Sequence, residues 1–126
     1  MNGHTVRKFR LSDKFISQYE DKKVPWGPVG YVTYKRTYSR RLDEKTPGAV
    51  GTEEWFQTCR RVIEGMFNMQ KQHVSHLGLE WNDAKAQQTA KEAYDRLFDL
   101  KWTPPGRGLW MMGTKFVEER TAAGLF

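Results

Sequence analysis

The chain has 126 residues with a formal net charge of +6, one cysteine, and charged side chains at 29%. That length holds one domain with one modest core and excludes a large multidomain enzyme. With a lone Cys59, neither an internal disulfide, a dithiol redox pair nor a thiolate metal cluster can be completed within the chain.

The charge is unevenly placed. Residues 1–50 hold eleven Lys/Arg against five Asp/Glu, whereas residues 51–126 hold ten of each. A basic half suits nucleic acid, an acidic protein surface or a polyphosphate nucleotide, and composition does not choose among them. No apolar run approaches the roughly 20 residues of a membrane span, and Met1-Asn2-Gly3-His4 lacks a signal-peptide core. The expectation is a soluble, cytoplasmic protein without membrane attachment.

In chain order, Ser12 with Asp13 predicts a helix start, and Phe15, Ile16 and Tyr19 follow at helical spacing. Pro25 and Pro28 flank Trp26-Gly27 as a connector. The run from Val29 to Tyr38, rich in β-branched and aromatic residues, predicts an extended segment with strand character. Residues 45–51 read as a loop, and Thr52, with Glu53 and Glu54 behind it, as the N-cap of a long helix. Trp55, Cys59, Val62, Ile63, Met66 and Phe67 form one apolar stripe about three turns long. Cys59 within that stripe reads as an inert, buried small hydrophobe.

A further helix is predicted from Asn82 as cap to Leu100, with Ala86, Ala90, Ala93, Tyr94, Leu97 and Phe98 on one face. A connection of about a dozen residues would close an αα-hairpin. His73 and His76, with only Glu80 near, do not make a metal site. Next comes Trp102-Thr103-Pro104-Pro105-Gly106-Arg107-Gly108-Leu109-Trp110-Met111-Met112-Gly113-Thr114. Here prolines stiffen the backbone, glycines permit close approach, and Thr103 and Arg107 offer donors suited to phosphate or carboxylate oxygens. Residues 115–121 read as one or two helical turns. The apolar ending Leu125-Phe126 predicts either docking into the core or continuation into a buried strand of a longer polypeptide.

Three segments, 26–40, 59–65 (Cys-Arg-Arg-Val-Ile-Glu-Gly) and 103–114, occur in the order and spacing of one family. Together they resemble the N-terminal region of the adenosylcobalamin-dependent (class II) ribonucleotide reductases, especially the monomeric ribonucleoside-triphosphate type. The likeness runs from about Phe15 to the last residue. It implies a mainly α fold: a small helical N-terminal domain over residues 1–101, with an extended segment. A Pro/Gly-rich substrate loop over 102–126 would lead into a ten-stranded α/β barrel absent from this chain.

Such enzymes cleave the cobalt–carbon bond of adenosylcobalamin and form a cysteine thiyl radical that abstracts hydrogen from the ribose. A pair of cysteines then reduces the sugar and is regenerated by a thioredoxin-like donor. The resemblance implies that the cysteines lie beyond Phe126, so the chain alone is inactive and binds no cofactor by itself. Its implied partners are the remaining barrel, a ribonucleoside triphosphate and the reductant. Thr103 and Arg107 match the family's Thr-Pro and Gly-Arg steps and are the implied substrate contacts.

Lys35, Arg36, Arg40 and Arg41 suit nucleotide phosphate by their chemistry, whereas the resemblance implies that they pack along the barrel's outside and that Tyr34 and Tyr38 are packing residues rather than radical carriers. The competing expectation is a small basic module for single-stranded nucleic acid, using residues 35–41 with their interleaved aromatics.

Overall fold

The computed structural model describes residues 7–40 and 51–114, and of Arg107 the backbone alone. Five helices follow in order: α1 (Asp13–Glu20), α2 (Pro28–Thr37), α3 (Trp55–His76), α4 (Asp83–Phe98) and α5 (Gly106–Met111). The expectations for the 45–50 loop, Arg41, residues 115–121 and the apolar ending fall outside the described residues.

α3 is the axis of the fold. Its apolar stripe brings Cys59, Val62 and Ile63 to full burial against Ala90, Tyr94, Leu97 and Phe98 of α4, all at 0% exposure. The small Ala90 lets the helices approach, and polar atoms of the large aromatics find backbone partners. The Trp55 indole donates to the Phe98 carbonyl at 2.9 Å, and the Tyr94 hydroxyl to the Phe56 carbonyl at 2.7 Å. The hairpin turn is shorter than the sequence suggests, because α3 continues through polar residues beyond its stripe to His76. Gly78, at φ 72°, turns the chain, and Asn82 caps α4 by accepting the Lys85 N–H at 3.1 Å.

The N-terminal segment and α1 close the other side. Phe9 stacks on Phe67 with ring centroids 5.2 Å apart. The Leu11 backbone is gripped twice: its N–H donates to Glu64 and its carbonyl accepts from Arg60, each at 2.9 Å. Ser12 caps α1 as the sequence indicates, and Tyr19 reaches across to donate to Asp95 at 2.8 Å.

The extended segment expected over 29–38 is instead α2. Pro28 sits in the first turn, where its missing N–H costs nothing, and the intrinsic strand preference of Val29, Val32 and Thr33 is overridden by tertiary packing. Trp26, Tyr34 and Trp55 form a triangle with centroids 4.6–5.4 Å apart, which fixes α2 on the start of α3. Helical spacing points Tyr34 inward and leaves Val29 and Val32 outside. The α3 cap also moves: Glu54, not Thr52, is the N-cap, in a reciprocal capping box with Gln57.

Burial raises the hydroxyl pKa of Tyr34 and of Tyr94; Tyr19 is raised by burial and by its hydrogen bond to Asp95. In the unfolded chain these phenols ionise near 10.0. The folded state keeps its protons to higher pH, so the contribution is fully present below about pH 10 and is lost as pH rises toward the folded values. Thermal melts should therefore hold steady to about pH 9 and fall steeply above about pH 10. A melting temperature flat to pH 11 would contradict the buried placement of these rings.

Candidate functional site

The segment 102–114 is built onto the helical core at both ends. At its start the Trp102 indole donates to the Ala93 carbonyl on α4 at 3.0 Å. Residues 106–111, expected as a Pro/Gly loop, form the one-and-a-half-turn α5. Pro105 as N-cap supplies an extended entry, and Gly106 lies close under Tyr38: a Cβ there would stand 3.2 Å from the Tyr38 hydroxyl. Leu109 is buried, while Trp110 is 40% exposed.

The end of α5 is held by one side chain from α3. The Arg61 guanidinium donates to the carbonyls of Leu109 at 2.9 Å, Trp110 at 3.2 Å and Met112 at 2.7 Å. A helix C-terminus exposes unpaired carbonyls and negative dipole charge, and a planar five-donor cation answers both. The same guanidinium is forked on Glu53 through Nε at 2.9 Å and Nη2 at 3.2 Å. Glu53 in turn accepts from the Arg40 N–H at 3.0 Å and the Thr58 hydroxyl at 2.9 Å. The ion pair is nearly dry, with side-chain exposures of 11% for Arg61 and 9% for Glu53.

One turn further along α3, Gly65 makes the closest approach. A Cβ there would overlap the backbone of Gly113, and Gly113 itself, at φ 78°, stands against the Arg61 carbonyl. Both glycines are required by contact, and Gly113 also by its left-handed backbone. Thr114 then turns its hydroxyl onto the Met111 carbonyl at 2.7 Å. Arg40 adds an outer brace, with its guanidinium 4.3 Å from the Trp110 ring centroid and a hydrogen bond to the Trp110 carbonyl at 3.3 Å.

Of the residues singled out from sequence, Thr103 is exposed at the entry to this braced segment, and the Arg107 backbone lies in the first turn of α5. The Arg107 side chain is outside the described residues. Lys35 is turned inward onto the carbonyls of Thr52 and Glu53 and the carboxylate of Glu54. Tyr34, at 3% exposure, has no face free for a base. Cys59 is fully buried and burial pushes its thiol well above the usual range, which leaves it unreactive. His73 and His76 sit in the last turns of α3, and the described residues contain no cluster of three metal-ligating side chains. No described helix is long and apolar enough to cross a membrane.

Arg61 and Glu53 are the anchoring residues that sequence reasoning missed. Arg61 belongs to the 59–65 motif, and Glu53 carries the local signature of a first-turn acid. The available signal was a charge on α3 bordering the apolar stripe, one turn before the helix's only glycine.

The structure is that of a helical domain whose central helix grips the backbone of a Pro/Gly segment. The sequence profile of the ribonucleotide reductase alpha domain matches residues 11–114, and the chain belongs to that family. A Dictyostelium discoideum protein described as a probable adenosylcobalamin-dependent ribonucleoside-triphosphate reductase is 41% identical over 124 residues, covering 97% of this chain and 15% of the relative. A Euglena gracilis adenosylcobalamin-dependent ribonucleoside-triphosphate reductase is 36% identical over 118 residues, 91% of this chain and 16% of its own length. The crystal structure of a B-12 dependent (class II) ribonucleotide reductase superposes with a TM-score of 0.69 at 34% identity, over 86% of this chain and 15% of that one. The chain thus spans about 15% of the length of the relatives it matches.

Proposed function

We propose that this chain supplies the N-terminal helical region of an adenosylcobalamin-dependent ribonucleoside-triphosphate reductase and acts only together with the rest of that enzyme. Residues 1–101 serve as the helical domain and 102–126 as the substrate-loop segment leading to the barrel. Supporting this reading is the docking of 109–113 on α3 through Arg61 and Gly65, because it brings two of the three family-like segments into direct contact. Thr103 and Arg107 then contact the substrate phosphates, the threonine by its hydroxyl and the arginine by its fork.

Adenosylcobalamin would supply the radical to the assembled enzyme, but the described residues do not fit it. One cleft among the described residues is lined by Arg7, Lys8, Arg10, Lys71, Asp83 and Gln87, and this charged rim does not suit a corrin ring. No step through the cofactor is assigned to this chain. A thioredoxin-like dithiol serves the cysteines of the remaining polypeptide.

The test is complementation. The chain is mixed with a Dictyostelium reductase lacking its matching segment, together with adenosylcobalamin, a ribonucleoside triphosphate and a dithiol. Deoxynucleotide should form only in the complete mixture. Thr103→Val and Arg107→Gln should each raise KM about tenfold, the scale of one charge-assisted hydrogen bond. Demonstrated association of the two polypeptides without any product would overturn the assignment.

A further inference from the structure

Arg60 and Arg61 are consecutive on α3 and serve opposite sides of the domain. Arg60 turns to the N-terminal stretch, bonding the Leu11 carbonyl, Glu64 and Asp13. Arg61 turns to the end of α5, where its five N–H donors meet the Glu53 carboxylate twice and the carbonyls of Leu109, Trp110 and Met112 once each. Glu53 gathers the preceding segment as well. Its Oε1 accepts from the Arg40 N–H and the Thr58 hydroxyl besides Arg61, and its carbonyl accepts from the Ser39 hydroxyl at 2.6 Å. The pair thus ties residues 39–40, α3 and the end of α5 together at a nearly dry point.

The chain leading to that point is stiff enough to transmit its position. Trp102 is fixed to α4 through the Ala93 carbonyl, one residue before the exposed Thr103. Pro104 and Pro105 each remove a backbone freedom, and α5 runs directly from them to the gripped carbonyls. α5 also leans on Pro104: a Cβ on Gly108 would stand 3.3 Å from the Pro104 Cβ. A displacement of the end of α5 is therefore carried back to the Arg107 backbone, to Pro104 and to Thr103 beside it, with no slack loop to absorb it.

We infer that Glu53 and Arg61 are positioning residues for substrate: they touch no phosphate and act through Thr103 and Arg107. The inference rests on the function proposed above, in which those two residues meet the substrate phosphates. The chemistry of the pair suits the task. One planar guanidinium satisfies a carboxylate and three carbonyls at once, whereas a lysine ammonium has only three donors and no fixed fork. The Glu53 Oε2 accepts from Arg61 Nε at 2.9 Å while Oε1 accepts three further bonds, so both oxygens are acceptors. A carboxamide in this place would set its N–H against the guanidinium.

The complementation mixture tests this when the chain is saturating and KM and kcat for the ribonucleoside triphosphate are measured separately. Arg61→Lys keeps the charge but not the fork, and should raise KM about tenfold with kcat within about twofold, the pattern of lost binding rather than lost chemistry. Arg61→Lys/Thr103→Val should also raise KM only about tenfold, not by the roughly hundredfold product, because residues acting through one another are not additive. Glu53→Gln should raise KM about threefold, and it carries the test alone should Arg61→Lys not fold. Arg60→Lys, which loosens only the N-terminal side, should leave KM unchanged. A pair with a merely structural role would lower kcat through the folded fraction and leave KM alone. That outcome, or additive effects in the double variant, would overturn the inference while the proposed function stands. No product with the unmodified chain would instead remove the proposed function and this inference with it.

Discussion

Replacing Arg61 by leucine should lower stability by about 3–5 kcal/mol, the usual result of stranding one member of a buried ion pair. The Glu53 carboxylate would stay at 9% side-chain exposure with the Arg40 N–H and the Thr58 hydroxyl but no cation. At the same time the carbonyls of Leu109 and Met112 lose the Arg61 donor, and that of Trp110 keeps only Arg40. For a domain of this size the melting temperature should fall on the order of 10–20 °C. The double variant Glu53→Leu/Arg61→Leu should recover part of that loss, because an apolar pair leaves no stranded charge, yet it should not restore the hold on α5. Limited proteolysis separates the two effects: cleavage within 103–114 should be fast in both variants. An Arg61→Leu protein that melts within about 1 kcal/mol of the parent would mean the fork carries no stability.

Gly65→Ala is the second large effect, and its sign is the informative part. Local helix preference alone favours alanine by about 1 kcal/mol. The new methyl, however, would overlap the Gly113 backbone, which is not the flexible end of a side chain and cannot step aside cheaply. Overpacking of this kind costs about 1–3 kcal/mol, so net destabilisation and release of the 109–114 segment are expected. Thermal melts give the sign, and protease sensitivity of the segment gives the location. A more stable Gly65→Ala protein would show that α3 and residue 113 do not touch in solution.

Those two residues also mark where sequence reading stopped. α1, α3 and α4 were legible because caps and apolar spacing agree: Ser12 and Asn82 are the observed N-caps, and the 55–67 stripe is buried as spaced. α2 was not, since Val29, Tyr31, Val32 and Tyr34 carry strand preference and only the Trp26–Tyr34–Trp55 packing makes them helical. α5 was hidden by its own glycines. The candidate site divides in the same way. Thr103 and Arg107 came from family likeness, whereas the Glu53–Arg61 pair depends on long-range packing that no local spacing encodes.

The grip of Arg61 on 109–112 is made entirely to main-chain oxygens. Arg61 therefore recognises a path of backbone rather than an identity of side chains, and Met111 can be exchanged without altering its grip, whereas Trp110 also carries the Arg40 brace through its ring. The side chains of this segment can change while the course of its backbone stays constant.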